Sequence, residues 1–432
     1  MKQTIVMILL LTVGTVGALT HGPFVGVSIY YLFAVLRPQY LWEWALPEFA
    51  WSYYVGIATI AATYLYLPVS SRGKISHSAY IALAFSGWIT LSHVFALNHD
   101  VSSRWYWEYL KIFTMFFCAS IVITRFSQVR VLYVITVLAI GYIAYEVNSL
   151  YLFDRRMDIY FSGFGGLDNN GAGLMLAMGV PMAYFLWQAY TPWWRWLFLA
   201  LVPVMLHGVL LSFSRGAMIA LLLASPLLIL RSTRKKGMIL FFIGLISVLP
   251  ILAGTEIRTR FFSIEQYQED KTAQSRFDSW TAAWNIALDN PIVGVGIRNA
   301  DLFSYKYGAD TVGRTIHSQY LQIAADSGLP ALGLYLMLLY AAWRSTRRTQ
   351  KHCRDSFSEG NEDRHLPYSI ASGIESALAV FCIGSTFLSL EIFELPYLVI
   401  LLALKIPLTL GQEESEAVAP VPSPAFVEAV TS

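Results

Sequence analysis

Long apolar runs recur along the whole chain, and they constrain its fold more than any other feature of the sequence. Stretches such as HSAYIALAFSGWITLSHVFAL (77–97) and GMILFFIGLISVLPILAG (237–254) are long enough to cross a bilayer as helices. Only 13% of the 432 residues are charged, whereas about a quarter are charged in an ordinary soluble domain. Transmembrane strands would instead alternate polar and apolar residues in short segments. The sequence therefore predicts an all-α polytopic membrane protein.

The apolar runs predict 12 or 13 membrane spans. The first two runs are separated only by the residues THGP, so one crossing and two crossings both remain open there. The first run also has features of a signal peptide, but among so many later spans we expect it to be retained as a helix. The candidate spans lie near residues 4–19, 23–36, 52–69, 77–97, 107–123, 130–147, 171–189, 194–211, 215–230, 237–254, 328–343, 368–389 and 394–410.

Short basic connectors predict which side of the membrane each loop faces. They are SSRGK (70–74), TRFSQVR (124–130), RSTRKKG (231–237) and RSTRRTQKHCR (344–354). The positive-inside rule assigns such connectors to the cytoplasm. The long segment 255–315 then faces outward, and its seven basic and eight acidic residues show no cationic excess. The carboxyl terminus is expected inside, while the side of the amino terminus depends on the number of spans.

We expect five regions along the chain. The last of them is rich in Pro, Ala and acidic residues, a composition typical of disorder. The regions are an N-terminal transmembrane region (1–150), central transmembrane helices (151–254), a periplasmic loop with amphipathic helices (255–327), C-terminal transmembrane helices (328–410) and a disordered cytoplasmic tail (411–432).

Arg215 is the first candidate for a functional residue, because any chemistry must lie where the outer loops meet the helix ends. It follows SFS and precedes the apolar run GAMIALLLASPLLIL. An arginine near the bilayer needs an interface or a partner. Two interpretations remain open: an anchor to lipid headgroups, or a cation that binds an anionic ligand at a helix amino end.

Arg276 is the second candidate. Thr272 or Ser275 is expected to cap an amphipathic helix that Asn290-Pro291 ends, with Phe277, Trp280 and Trp284 at helical spacing. Such a helix lies on the membrane surface or over a cavity. We expect Arg276 in its first turn, where a cation opposes the helix dipole unless an anion docks there.

His317 is the third candidate, at the start of a predicted short helix that a Gly-Leu-Pro break separates from the next span. Arg314 precedes it by three residues and Tyr320 follows it by three, close to one helix face. An imidazole accepts a proton near neutral pH. An interfacial histidine bonded to a carbonyl is the alternative. Two interpretations of Arg314 remain open: a charge that keeps the imidazole neutral by lowering its pKa, or a lipid anchor.

Three arginines and one histidine on one face suit a reaction on a diphosphate. Guanidinium groups bind phosphate oxygens in bidentate fashion and remain charged at any relevant pH. They stabilise a leaving diphosphate without a metal. No Asp-x-Asp, His-x-x-x-His or carboxylate cluster in the sequence suggests a bound ion. We therefore expect neither a metal nor another cofactor, and no nucleic-acid partner.

These motifs resemble the O-antigen ligase and polymerase family of bacterial envelope glycosyltransferases. The resemblance is carried by SFSRGAMIAL, AWNIALDNPIVGVGIRN and IHSQYLQIAADSGLPALGLYL, of which the last is the most specific. More narrowly, the stretches at 23–42, 167–186 and 260–280 resemble the O-glycosylation ligases associated with exosortase A systems.

The resemblance implies a membrane-embedded glycosyltransferase of the GT-C type in the bacterial inner membrane, with its site facing the periplasm. Such an enzyme moves a glycan from undecaprenyl diphosphate to an acceptor hydroxyl with inversion, without a metal. By motif, Arg215 and Arg276 are expected to engage the diphosphate and His317 to assist the acceptor. The residues expected to bind substrate are Asn169, Asn170, Arg298, Arg314 and Tyr320.

Several alternatives remain open within and beyond this family. Three acceptors remain open: lipid A core, as in lipopolysaccharide biosynthesis; a protein hydroxyl; or a growing polysaccharide. The motifs do not distinguish them. A polymerase shares the donor chemistry of a ligase. A transporter or flippase for the lipid-linked glycan is less favoured. Such proteins often show internal repeats and mid-membrane charges, whereas this sequence shows no repeat and its candidate charges lie at the predicted outer helix ends.

Overall fold

A computed structural model gives the fold and describes residues 2–46, 49, 51–66, 78–236, 239, 271–357, 365–390 and 392–418. Short helical turns lie between the main helices, at Pro38–Leu41, Asp158–Phe161, Asn299–Phe303 and Ser304–Tyr307. The main helices are α1 (Lys2–His21), α2 (Pro23–Leu36), α3 (Trp51–Tyr66), α4 (Ala79–Val94), α5 (His99–Val122), α6 (Phe126–Asp154), α7 (Asn169–Ala189), α8 (Arg195–Leu211), α9 (Arg215–Arg231), α10 (Lys271–Asp289), α11 (Gln319–Phe357), α12 (His365–Gly384) and α13 (Glu394–Val418).

The prediction of an all-α polytopic membrane protein is confirmed. Six of the described helices are long and apolar enough to cross a membrane, namely α1, α6, α7, α11, α12 and α13, and α4 and α8 are shorter apolar helices. The count of 12 or 13 spans stays a prediction. The candidate span 237–254 lies outside the described residues apart from residue 239. Helix α13 continues to Val418, beyond the point where the tail was expected to start.

Helix α7 forms the centre of the bundle. Every residue from Gly171 to Leu186 is buried, as expected of a helix that is apolar on all sides. Helices α8 and α12 pack most extensively against it, and α6 and α9 also contact it. The amino end of this central helix, at Asp168 and Asn169, therefore has a fixed position relative to four neighbouring helices.

Residues 271–318, the described part of the chain before α11, form a helical segment that we call the loop segment, and its apolar core is shared with α11. Its helix α10 contacts α11. The core consists of Ala283, Ile286, Val295, Ala300, Ile316 and Ala325, with Trp280 packed against it. The predicted loop helix is therefore present, and it ends at Asp289 as the Asn290-Pro291 signal indicated.

Two details of this helix differ from the prediction. Helix α10 already includes Lys271, so Thr272 and Ser275 lie inside the helix and neither caps it. Arg276 consequently lies beyond the first turn, and the expected conflict with the helix dipole is absent because that effect fades within the first turn.

Helix α11 is kinked at Gly328, where φ is 84° and ψ is 168°. This positive φ is accessible to glycine and costly for other residues. A Cβ at this position would also lie 2.1 Å from the backbone oxygen of Ile292. The Gly-Leu-Pro stretch therefore breaks the helix as predicted, and it does so where the loop segment presses against it.

Candidate functional site

A cavity of about 900 Å³ lies between the N-terminal helices and the loop segment, and we call it the site cavity. Its polar part is lined by Arg37, Asp168, Arg298, His317 and Glu394. Its apolar part is lined by side chains of α2, α3 and α5, among them Phe33, Ile57, Ile60 and Met115. The cavity thus offers charged groups at one part of its wall and hydrocarbon at another.

Three residues of this wall have a left-handed backbone. The φ values are 46° at Arg37, 59° at Arg298 and 54° at His317. Each such conformation costs a non-glycine residue of the order of 1–3 kcal/mol, and such residues cluster at active sites and ligand clamps. Their meeting in one cavity favours a functional site there. It also corrects one expectation: His317 precedes helix α11, which begins at Gln319, and does not lie within a helix.

Asp326 fixes the backbone at Arg298. Its carboxylate accepts hydrogen bonds from the backbone N–H groups of Arg298 and Ala300, both at 2.8 Å, and from Gln322 Nε2 at 2.9 Å. The Arg298 guanidinium bonds Asp301 at 3.3 Å and lies 5.2 Å from the centre of the Trp105 ring. Asp326 is 1% exposed. A buried carboxylate needs such donors, and these donors place Arg298 at the cavity wall.

The motif around Gly294 and the motif around Asp326 interlock along their backbones. Val295 N–H donates to Ala325 O at 3.0 Å, and Gly296 N–H donates to Asp326 O at 2.8 Å. A Cβ on Gly294 would lie 2.3 Å from the Asp326 carbonyl carbon. The two stretches NPIVGVGIRN and ADSGLP therefore form one unit. The sequence pattern did not single out Asp326.

His317 is half-buried and carries a lowered pKa. Burial is the main cause, and the charge of Arg276 is the next, while Asp168 opposes both; together they lower the pKa of His317 to about 4. This value already includes smaller lowering effects of Arg314 and Arg298. The imidazole is therefore neutral at pH 7 and available to accept a proton. The expected effect of Arg314 is present, but Arg276 exerts the larger one.

Gln319 ties the residues after His317 to the turn that follows α12. Its backbone N–H donates to Ser385 O at 2.9 Å, and its side chain accepts from Leu390 N–H at 3.1 Å and donates to the Tyr335 hydroxyl at 2.6 Å. The side chain is fully buried. These bonds fix the backbone immediately after His317, at the wall of the site cavity.

Arg215 and Arg276 lie on elements that meet beside the site cavity. Arg215 is the first residue of α9, and Ser214 caps that helix by accepting from Ala217 N–H at 3.3 Å. Both arginines are half-buried, and neither lines the site cavity. Phe387 connects the two elements. A Cβ on Gly216 would lie 3.2 Å from the Phe387 Cβ, and the rings of Trp280 and Phe387 are 6.3 Å apart.

Asn169 and Asn170 hold the turn that leads into α9. Asn169 Nδ2 donates to Ser212 O at 2.9 Å, and Ser214 Oγ donates to Asn170 Oδ1 at 3.0 Å. Asp168 caps α7 by accepting from Gly171 N–H at 2.8 Å. The structure therefore gives both asparagines a role in positioning the stretch before Arg215, while Asp168 faces the site cavity.

Arg314 and Tyr320 lie outside the wall of the site cavity. Arg314 forms an ion pair with Asp310, with Nε donating to Oδ1 at 2.6 Å. The Tyr320 hydroxyl donates to Cys382 O at 2.7 Å. Their predicted contact with substrate stays a prediction, and the partners shown here are structural.

The cavity includes charged residues that the sequence analysis did not select. Arg37 pairs with Glu394 at 3.1 Å and stacks 4.9 Å from the Phe393 ring centre, and Lys111 pairs with Glu108 at 2.7 Å. Arg37 lies next to Pro38 between two helices, and this position beside a proline was the one feature of the sequence that could have drawn attention to it. In the described part of the chain, no three His, Cys, Asp or Glu side chains are grouped as a metal site would require.

Comparison with known proteins identifies part of the chain. Residues 200–336 match the model of a family described as O-Antigen ligase. No curated protein matches the chain. The matched stretch contains Arg215, Arg276, Arg298 and His317. The predicted resemblance to the O-antigen ligase family is confirmed, and it supports a multi-pass membrane enzyme of the O-antigen ligase and polymerase type.

Proposed function

We propose that this chain, which carries the O-antigen ligase segment at residues 200–336, transfers a glycan from undecaprenyl diphosphate to an acceptor hydroxyl on the periplasmic face of the bacterial inner membrane. The observation that carries the proposal is the position of His317. A neutral imidazole lies in the wall of a large cavity, with Arg276 and Arg298 close enough to lower its pKa. A proton acceptor beside fixed cations suits attack by a hydroxyl on a group attached to diphosphate.

In the proposed reaction, the acceptor oxygen forms a bond to the anomeric carbon while the bond from that carbon to the diphosphate oxygen breaks. The acceptor proton passes to the His317 imidazole. The electron pair of the broken bond goes to the diphosphate, whose growing charge Arg215 and Arg276 stabilise. Attack opposite the leaving group inverts the anomeric configuration. Base catalysis contributes a factor of about 100 to 10,000 when the pKa of the base lies near the working pH. With a pKa of about 4, His317 is a weaker base, and its contribution should lie at the lower end of that range.

Two regions near His317 suit the two substrates. The elements that carry Arg215 and Arg276 meet at Phe387, outside the site cavity, and we assign the diphosphate to them. The site cavity, which His317 itself lines, supplies Arg37, Arg298 and apolar residues of α2, α3 and α5. We assign the acceptor to this cavity. Its walls come largely from residues outside 200–336, and this favours an acceptor choice that is particular to this chain.

The decisive experiment reconstitutes the purified chain with a lipid-linked glycan and candidate acceptors. Wild-type protein is expected to form the transferred product without added metal. The variants His317→Ala and Arg276→Ala should lose activity by at least about 100-fold. His352→Ala and Arg130→Ala serve as controls, because His352 pairs with Glu414 and Arg130 is exposed at the start of α6. Normal turnover in either site variant contradicts the mechanism.

The polymerase alternative uses the same donor site and differs in the acceptor. A ligase transfers a finished glycan to a different molecule, whereas a polymerase extends another lipid-linked chain. The same reconstituted reaction with lipid-linked glycan alone separates them, because only a polymerase lengthens the glycan without added acceptor. Transfer of lipid across the bilayer without product formation would instead indicate a transporter.

A further inference from the structure

A second cavity, of about 390 Å³, lies at the opposite end of α11 from His317, and we call it the basic cavity. Six cationic side chains line it: Arg231, Arg344, Arg347, Arg348, Lys351 and Arg354. Arg231 ends α9, the helix that begins at Arg215. From Gly328 to Arg348, helix α11 rises about 30 Å, which matches the thickness of a bilayer core. The basic cavity therefore lies at the other membrane face.

Glu375 is the one acidic residue that contacts the lining of this cavity among the described residues, and its bonding capacity is already used. Its oxygens accept from Arg231 Nε at 2.6 Å, Arg231 Nη2 at 3.1 Å, Gln350 Nε2 at 2.7 Å and Trp343 Nε1 at 3.1 Å. Arg347 lies 3.9 Å away. One fully buried carboxylate thus balances one of the six positive charges, and two of its four hydrogen bonds come from Arg231.

The remaining cations form a stripe on α11. Arg344 lies three and four residues before the adjacent Arg347 and Arg348, and Lys351 lies four and three residues after them. These four side chains therefore follow one side of the helix, and all are exposed. Within the described part of the chain, the structure gives Arg344, Arg348 and Lys351 no ion pair. Like charges at this spacing destabilise a helix. An anion bound between them removes that repulsion.

Aromatic residues on the same face indicate the nature of the anion. Tyr340 and Trp343 line the basic cavity one turn before the cations, with ring centres 5.7 Å apart. Their side chains are 54% and 44% exposed. Tyr and Trp mark the interface between hydrocarbon and headgroups. A ligand here meets an apolar surface first and a cluster of cations beyond it.

We propose that the basic cavity binds a phosphate-bearing anion, the headgroup of an anionic membrane phospholipid. Guanidinium groups bind phosphate oxygens through paired hydrogen bonds. Basic pockets between transmembrane helices on the cytoplasmic side bind such headgroups. A phosphate here bridges the end of α9 to α11, because Arg231 and the stripe share the cavity. This site is independent of the transfer reaction and of the residues assigned to it.

The test uses the full chain purified in nanodiscs that contain phosphatidylglycerol or only phosphatidylcholine, with bound lipid counted by native mass spectrometry. The variant combines Arg344→Gln, Arg348→Gln and Lys351→Gln. Its retention of phosphatidylglycerol is expected to fall by about ten- to hundredfold, since each cation contributes separately near a charged surface. Phosphatidylcholine should be retained weakly by both proteins.

The control variant combines Arg130→Gln, Lys235→Gln and Lys236→Gln, which removes three exposed charges that do not line the basic cavity. It should keep the phosphatidylglycerol. Equal losses in both variants would mean general charge attraction and would overturn the proposal, as would full retention in the first variant. A parallel arm offers inorganic diphosphate to the wild type. Tight binding of diphosphate with no preference for phosphatidylglycerol would overturn the assignment to a lipid.

Discussion

The Asp326 carboxylate holds the backbone N–H of Arg298 at 2.8 Å, and through this bond a residue of α11 sets the position of an arginine in the loop segment. The second carboxylate oxygen accepts from Ala300 N–H at the same distance. Arg298 adopts a left-handed backbone there. The strain at Arg298 is therefore maintained by a buried partner from another element, as expected where strain serves a function.

Replacing Asp326 should impair transfer and loosen the loop segment together. In Asp326→Ala, the N–H groups of Arg298 and Ala300 lose a charged acceptor, which costs about 1–3 kcal/mol for each buried group left unsatisfied. We expect faster amide hydrogen exchange across residues 290–300 and a fall in transfer rate. Asp310→Ala is the matched control, because its ion pair with Arg314 is partly exposed and outside the cavity. Unchanged exchange in Asp326→Ala would contradict the role given to this carboxylate.

The pH dependence of transfer should report the lowered pKa of His317. Since the pKa is about 4, the neutral base is lost only as the pH falls through about 4. The acid limb of kcat/KM should therefore lie near pH 4, well below the value near 6.5 expected of an unperturbed histidine. Measurement of kcat/KM between about pH 3 and about pH 8 distinguishes these two values and leaves room to detect a limb below pH 4.

Two charge substitutions should move that limb in opposite directions. Arg276→Gln removes a cation that lowers the pKa of His317, so the limb should shift to higher pH. Asp168→Asn removes the carboxylate that raises this pKa, so the limb should shift to lower pH. Asparagine also caps helices well, and α7 should therefore remain intact. Shifts in the same direction, or none, would show that His317 is not the group that titrates.

Candidate residues at helix ends could be predicted from the sequence. Residues whose positions depend on contacts between distant segments could not. Arg215 was predicted at a helix end from the apolar run that follows it, and α9 begins at this residue; its contact with the diphosphate stays a prediction. His317 was selected for its chemistry. Its left-handed backbone was not foreseen, because a single sequence does not show the bonds that the neighbouring Gln319 makes with Ser385 and Leu390.

The other omissions have the same cause. Arg37 is separated from Glu394 by most of the chain, and Asp326 bonds a loop that approaches it only in the fold. A single sequence shows neither of these two contacts. Helical periodicity likewise gave α10 its correct end at Asp289 but not its start, because Thr272 and Ser275 resemble caps while lying inside the helix.

Glu375, which lies next to the basic cavity, should contribute strongly to the stability of the protein. Removal of one partner of a buried ion pair costs about 3–5 kcal/mol, and Glu375→Ala leaves Arg231, Gln350 and Trp343 without their acceptor. We expect a marked fall in the thermal unfolding temperature of the purified protein. Glu108→Ala is the control, because its pair with Lys111 is 46% exposed and such pairs contribute about 0–1 kcal/mol. Equal unfolding temperatures for the two variants would contradict this role.

The approach of α7 to the turn before Arg215 should be sensitive to a single methyl group. A Cβ on Gly173 would lie 2.4 Å from Ser212 Oγ and 3.1 Å from the Cβ atoms of both Ser212 and Ser214. Rotation of the Ser212 hydroxyl does not relieve the two Cβ contacts, so Gly173→Ala should displace the turn that Asn169 holds through Ser212 O. If Arg215 binds the diphosphate, this displacement should raise KM for the lipid-linked donor by about tenfold or more. It should leave the acid limb assigned to His317 in place, because Gln319, two residues after His317, is held by Ser385 and Leu390 and not by this turn. Gly87→Ala is the matched control, since nothing lies within 4 Å of a Cβ there. An unchanged donor KM in Gly173→Ala would mean that Arg215 does not depend on this turn for its contact with the donor.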